Sequence, residues 1–146
     1  LVIAPGCDMP YDVPVENVIG VMRAVREPEQ TRKILENYQS VESAIEVTLP
    51  NYTNLKRPLV EVFTIDSDTC AACSYMYSAA KRVAQELNGA IDVIEYKITQ
   101  PENVARVKKL GITHLPCILI NGELKFSSII PSTRELLEEI DKVERG

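Results

Sequence analysis

Residues 59–73 read Leu-Val-Glu-Val-Phe-Thr-Ile-Asp-Ser-Asp-Thr-Cys-Ala-Ala-Cys. The apolar first seven residues predict a strand. A helix is predicted to follow, because apolar residues recur at spacings of three and four from the second cysteine onward. Asp68 or Thr69 is a suitable N-cap for that helix. The stretch therefore places a Cys-x-x-Cys pair, Cys70 and Cys73, on the first turn of a helix that follows a strand.

This position predicts that the cysteine pair is redox-active. At a helix start, the first sulfur meets free backbone N–H groups and the positive end of the helix dipole, and both favour thiolate over thiol. The second sulfur lies one turn on, within reach of a disulfide. We interpret Cys70 as the attacking thiolate and Cys73 as the resolving thiol. The alternative is a pair of packed small residues, but buried structural cysteines seldom fall on such a turn.

Composition narrows the function classes. The chain has 146 residues, of which 45% are hydrophobic and 25% charged, as in an ordinary globular protein. A net charge of −5 argues against a nucleic-acid surface. No apolar stretch approaches the roughly 20 residues of a membrane helix, and no signal-peptide pattern is apparent, so we expect a cytoplasmic protein without membrane contact. Four cysteines then favour redox or metal chemistry. The chain begins at Leu1, not Met, and we expect it to be part of something longer.

The elements after the cysteine helix complete an α/β pattern over residues 58–146. Residues 90–98 are apolar on both faces, as in a buried parallel strand. A helix beginning at Pro101 and a hairpin around Asn121-Gly122 follow. The last helix begins with a capping box, Ser132 to Glu135. The predicted order is β-α-β-α-β-β-α, with a central mixed sheet flanked by helices.

The segment Gly111-Ile112-Thr113-His114-Leu115-Pro116, together with this order of elements, resembles the thioredoxin family. The resemblance implies a thioredoxin-like fold in which Pro116 is cis and shields the sulfurs, while the Leu115 backbone offers substrate a docking edge. It also implies a protein or small-molecule disulfide substrate, an electron-donating reductase and no cofactor beyond a Cys70–Cys73 disulfide. Thr69 stands where the family has Trp. This departure fits the thioredoxin- or glutaredoxin-like domains appended to other proteins better than it fits thioredoxin itself.

Three further residues are candidates for supporting roles. His114 is either an ordinary hydrogen-bonded histidine or a charge that tunes the Cys70 thiolate. Cys117 is either a core residue or a third thiol able to trap the pair. Together with the cysteine pair these two form a possible three-Cys, one-His metal set, although we predict no metal site in this chain. Glu61 either accepts a proton from Cys73 or is a solvated edge residue.

The first 27 residues resemble a different family. Val2-Ile3-Ala4-Pro5-Gly6-Cys7-Asp8-Met9-Pro10, followed by Val13-Pro14-Val15-Glu16-Asn17, is similar to the last strand and helix of the uroporphyrinogen decarboxylase barrel, whose family includes cobamide-dependent methyltransferases. In that branch a cysteine at the position of Cys7 is a zinc ligand. The companion His-x-Cys ligands are absent, so the alternative of a loop thiol without function is favoured.

Three regions follow from these patterns. Residues 1–27 are a remnant of a barrel C-terminus with a helix from Val15 to Arg26. Residues 28–57 are a bridge with a helix from Glu29 to Tyr38 and a strand at 44–49, and residues 58–146 are the thioredoxin-like domain. We predict a thiol–disulfide oxidoreductase domain in a longer decarboxylase-like protein, which serves that barrel or its corrinoid partner. The alternative is a redox-silent interaction module, or a metal-binding site, in a decarboxylase or corrinoid methyltransferase.

Overall fold

The computed structural model describes residues 14–36 and 45–144. Cys7 and the predicted N-terminal strand lie outside these residues, as does the end of the second predicted helix. The chain divides into two compact units, Leu1–Ser40 and Val41–Gly146.

The first unit contains two helices, α1 (Val15–Arg26) and α2 (Pro28–Glu36). The bounds of α1 agree with the prediction. Pro28 lies at the first position of α2, where its missing N–H costs no hydrogen bond. Neither helix buries a side chain, and Ile19 on α1 is 46% exposed.

The second unit is a four-stranded mixed sheet with three helices. Its strands are β1 (Leu59–Thr64), β2 (Asp92–Lys97), β3 (Cys117–Ile120) and β4 (Glu123–Ser127), in the order β2-β1-β3-β4. β1 pairs parallel to β2 and antiparallel to β3, and β3 pairs antiparallel to β4. The helices are α3 (Ala71–Glu86), α4 (Pro101–Leu110) and α5 (Thr133–Glu144). The predicted order of elements and the mixed sheet are confirmed.

Two helix caps and one turn have the conformations that their residues favour. Gly111 adopts a left-handed conformation (φ +67°) after the last residue of α4. Asn121 and Gly122 both have positive φ in the β3–β4 hairpin, and the Asn121 side-chain oxygen accepts a bond from the Leu59 N–H at 2.8 Å. At the start of α5, Ser132 and Glu135 bond to each other, as in a capping box.

The two faces of the sheet bury different clusters. On the first face, α3 and α5 cover Val60 and Val62 of β1. On the second face, Phe63 and its neighbours pack with residues of α4 and of the segment after it. We call these the α3 face and the α4 face. Since successive residues of a strand point to opposite faces, the register assigns the other β1 side chains too: Thr64 belongs to the α3 face and Glu61 to the α4 face.

The predicted strand at 44–49 is wrong for the residues that the structure describes. Residues 45–50 are irregular. Val47 is buried, and the carbonyls of Val47 and Thr48 accept bonds from Lys109 (2.7 Å) and Arg106 (3.0 Å) on α4. This segment is therefore held by one buried side chain and by backbone carbonyls that accept bonds from lysine and arginine, and not by a sheet ladder.

Candidate active site

The site begins in the turn that leaves β1. The Asp66 carbonyl accepts bonds from the N–H groups of Thr69 (3.3 Å) and Cys70 (2.9 Å), and the Asp66 side chain accepts one from the Asp68 N–H (3.1 Å). Lys97 on β2 forms ion pairs with Asp66, at 2.8 Å, and with Asp68. These bonds fix the path of the chain into the first cysteine.

Cys70 is the N-cap of α3. Its backbone is extended (φ −107°, ψ 114°), and its sulfur accepts a hydrogen bond from the Cys73 N–H at 3.5 Å. The sequence offered Asp68 or Thr69 as the cap, and this prediction is wrong, because both residues belong to the turn at Asp66 that precedes the cap position. Thr69 is exposed. The half-buried Cys70 sulfur therefore lies at the positive end of the helix dipole, as its proposed role requires.

Cys73 is a buried thiol on the same turn. Burial raises its pKa, and the hydrogen bond with Cys70 raises it further. The backbone N–H groups of Ile65 and Asp66 act in the opposite direction, since they donate to its sulfur. A half-buried and a buried sulfur on one turn can accept a target sulfur and then displace it, and both cysteines are free thiols in this structure.

The Leu115–Pro116 peptide is cis, as the resemblance implied. Pro116 precedes β3, and Cys117 pairs with Phe63 near the end of β1. Pro116 therefore lies at the edge of the sheet from which the turn to Cys70 departs. The side chain of Leu115 packs against the Phe63 cluster, and the Pro116 carbonyl accepts a bond from the Ser128 N–H at 2.9 Å.

The structure shows the surroundings of two of the supporting candidates. His114 is exposed, and its Nδ1 lies 2.9 Å from the Thr113 hydroxyl oxygen. Cys117 is buried with Phe63 and Leu119 on the α4 face, and burial raises its pKa to about 12. These contacts favour the core interpretation of Cys117. Among the described residues no group of three or more His, Cys, Asp or Glu side chains could hold a metal ion, so the possible metal set is not assembled.

Glu61 does not face the cysteine helix. It is fully buried on the α4 face, where its Oε1 accepts a bond from the Tyr52 hydroxyl at 3.2 Å. Its Oε2 and the Nε of Arg106 are buried without a hydrogen-bond partner. Burial raises the pKa of Glu61, although Tyr52 and Arg106 oppose the shift. Neither sequence interpretation, proton acceptor for Cys73 or solvated edge residue, fits this position.

The carboxylate on the α3 face is Glu95, which the sequence interpretation missed. Its two oxygens accept bonds from the hydroxyls of Thr64 (2.6 Å) and Ser67 (2.9 Å), on either side of the turn that leaves β1. The missed signal was spacing. Glu95 and Lys97 alternate along β2, so both point to the face that carries α3, whereas that strand was taken as apolar on both faces.

Comparisons with known proteins agree with this geometry. The thioredoxin domain family matches residues 59–141. A thioredoxin of Methanocaldococcus jannaschii is 35% identical over 83 residues, which cover 57% of this chain and 92% of that protein. Among the described residues, no helix combines the length and apolar character that crossing a membrane requires.

Solved structures of similar fold are more distant in sequence. Chloroplastic thioredoxin z is 20% identical with a TM-score of 0.48, over 62% of this chain and 80% of that one. Mitochondrial thioredoxin 3 from Saccharomyces cerevisiae is 18% identical with a TM-score of 0.45, over 60% of this chain and 80% of that one. The family match over more than half of the chain, and the relative of which this chain covers nearly the whole length, show that the chain belongs to the thioredoxin domain family.

Proposed function

We propose that this domain is a thiol–disulfide oxidoreductase that acts through Cys70 and Cys73. The observation that carries the proposal is the Cys73 N–H bond to the Cys70 sulfur at the start of α3. A sulfur that caps a helix is stabilised as thiolate, and a thiolate is the species that attacks a disulfide.

The exchange has two steps. The Cys70 thiolate attacks one sulfur of a target disulfide, forms a mixed disulfide and releases the other target sulfur as a thiolate. Cys73 then loses its proton and attacks the Cys70 sulfur. A Cys70–Cys73 disulfide forms, the second target thiolate leaves, and the target has gained two electrons.

The substrate of this reaction is a protein or small-molecule disulfide. Regeneration of the two thiols needs an electron-donating reductase, and no cofactor takes part. The cis Pro116 and the Leu115 backbone, at the sheet edge beside the cysteine turn, are the segment on which we expect an extended substrate chain to dock. A cytoplasmic location remains a prediction from the sequence.

The test compares the chain with its Cys70→Ser variant. We expect the unaltered chain to reduce a model disulfide, and Cys70→Ser to lose the activity while it keeps the same thermal unfolding midpoint. Equal rates in the two proteins would remove the proposal.

We further propose that residues 1–27 belong to a decarboxylase-like or methyltransferase-like barrel that this domain serves, by keeping metal-ligand thiols or a corrinoid partner reduced. The support is the resemblance around Gly6-Cys7-Asp8. Sequencing upstream of Leu1 tests it, because a His-x-Cys pair there would favour the methyltransferase and arginine-rich propionate-binding motifs the decarboxylase.

A further inference from the structure

His114 is a titratable side chain that the proposed mechanism does not use. It is the one histidine in the sequence, and it is exposed two residues before Pro116. The next side chain, Leu115, packs into the Phe63 cluster on the α4 face, whereas the imidazole is in contact with solvent. An extended chain that docks on the Leu115 backbone therefore brings its own side chains beside this ring.

The imidazole has a hydrogen-bond partner but no counter-charge. The Thr113 hydroxyl oxygen lies 2.9 Å from its Nδ1. A hydroxyl can donate to the neutral ring and accept from the charged one, so this contact suits both protonation states and leaves a proton on Nε2 in each. Among the residues that the structure describes, no carboxylate forms an ion pair with His114. Its Nε2–H is therefore available to an acceptor that the substrate brings.

We propose that His114 is a specificity-determining residue of the exchange reaction. As an imidazolium it favours target disulfides in which an Asp or Glu stands beside the attacked cysteine. Histidine gains its positive charge between about pH 8 and pH 5, so this preference strengthens as the pH falls through that range. The bonds made and broken are those of the exchange itself. This inference rests on the proposed function and names the substrate class of its first step.

The turn on the other side of Cys70 has the opposite charge. Asp66 and Asp68 share the ammonium group of Lys97, so the turn carries a net negative charge. Asp66 stays ionised at low pH because its hydrogen bond from Lys97 lowers its pKa. A negative turn repels an acidic substrate, and a preference for such substrates therefore has to come from the segment that contains His114.

The other charged and titratable groups near this segment do not produce the same signal. Lys108 and Lys109 end α4, just before Gly111, and lysine does not titrate in this pH range. The Lys109 ammonium bonds to the Val47 carbonyl. A thiol ionises more as the pH rises, but this speeds the attack of Cys70 on every substrate alike. The ratio of rates for two substrates therefore cancels the titration of Cys70.

The experiment is a competition between two substrates in a Cys7→Ser background. Reduced protein reacts for less than one turnover with an equimolar mixture of two symmetric peptide disulfides. The peptides contain no histidine and are identical except that Asp or Asn stands beside the cysteine. Acid stops the reaction, and mass spectrometry counts the two released peptide thiols. The Asp side chain is ionised at both pH 5.5 and pH 8, so the peptides do not change charge between the two conditions.

The expected signal is a change in the ratio of the two released peptides. With His114 present, the ratio of Asp peptide to Asn peptide should be about two- to fivefold higher at pH 5.5 than at pH 8, as for an exposed ion pair. In 1 M salt the difference should disappear, because exposed charges are then screened. In His114→Asn the ratio should not vary with pH. His114→Lys, which keeps a positive charge, should retain the higher ratio at pH 8.

The outcomes distinguish this proposal from the exchange function. If neither peptide is reduced, the exchange function fails. If both are reduced in a ratio that is independent of pH, or if His114→Asn keeps the pH dependence, the specificity role is overturned. A His114→Asn protein that is slower with both peptides by the same factor would mean that the ring tunes the Cys70 thiolate, and this result also overturns the proposal.

A second measurement leaves His114 unchanged. With Cys73→Ser added to the Cys7→Ser background, the mixed disulfide between Cys70 and either peptide cannot be resolved and accumulates. The one histidine then gives one imidazole signal in the NMR spectrum, which is followed against pH. We expect this signal to titrate at a higher pH in the Asp complex than in the Asn complex, because the carboxylate favours the imidazolium. Equal midpoints would overturn the proposal even if the His114 variants failed to fold.

Discussion

The backbone N–H of Cys73 donates a hydrogen bond to the sulfur of Cys70 across 3.5 Å, and both cysteines are free thiols. The bond is also the N-cap bond of α3, in which a sulfur takes the place that a Ser or Asp oxygen usually has. One interaction thus begins the helix and directs its dipole at the sulfur that we propose as nucleophile.

This arrangement predicts the order in which the cysteines react. In the folded Cys7→Ser protein at pH 7, we expect iodoacetamide to label Cys70 at least roughly tenfold faster than Cys73 or Cys117, because those two are buried and their pKa values are raised. Peptide mass spectrometry after timed quenching measures the order. In urea all three should label alike, and preferential labelling of Cys73 in the folded protein would contradict the assignment of roles.

The core position of Cys117 predicts a structural and not a chemical role. Its sulfur packs with Phe63 and Leu119, so Cys117→Ala should lower the free energy of unfolding by about 1 kcal/mol through the small cavity it leaves. Cys117→Ser should cost more, because it buries a hydroxyl among apolar side chains. Urea denaturation gives both values. The rate of disulfide exchange should change by less than about twofold. A large loss of exchange rate in Cys117→Ala would favour the third-thiol interpretation instead.

The buried Glu61 predicts an unusual dependence of stability on pH. Its raised pKa means that the folded chain holds this proton more tightly than the unfolded chain. The stability it contributes is therefore full below the ordinary glutamate pKa and is lost as pH rises through the raised value. Glu61→Gln removes this loss, so its thermal midpoint should exceed that of the parent at pH 7.5.

The same comparison near pH 4 is the control for Glu61. Both proteins are then neutral at this position, and their midpoints should coincide. A Glu61→Gln protein that is less stable at pH 7.5 would mean that Arg106 stabilises the carboxylate by more than burial costs it.

The sequence predicted most of the fold because its local signals and the packing agree. The apolar run of β1, the Asn121-Gly122 turn and the Ser132–Glu135 cap each have one conformation that suits both the backbone and the core. The side of the sheet on which a carboxylate falls was harder. Glu61 and Glu95 both lie among apolar strand residues, and only the register and the helix packed on each face tell them apart.

The predictions of the α3 cap and of a strand at 44–49 were wrong because each depends on contacts between distant parts of the sequence. Which residue caps α3 depends on the turn that Lys97 ties down through Asp66, a contact between residues distant in the sequence. Residues 45–50 lie against α4 because Arg106 and Lys109 donate hydrogen bonds to the carbonyls of Thr48 and Val47. Neither partner can be found from a pattern within the segment itself.

The hairpin glycine offers a prediction with a built-in control. Gly122 (φ +82°) and Gly89 (φ +76°) both have left-handed backbones, but only at Gly122 would a Cβ meet other atoms, the Tyr52 ring at 2.7–2.9 Å. Gly89→Ala should cost about 1 kcal/mol of unfolding free energy from backbone strain alone. Gly122→Ala should cost about 1–3 kcal/mol more, because the Tyr52 ring is held by its bond to Glu61 and must shift. Urea denaturation of the two variants measures the difference, and equal losses would mean that the ring moves aside at no cost.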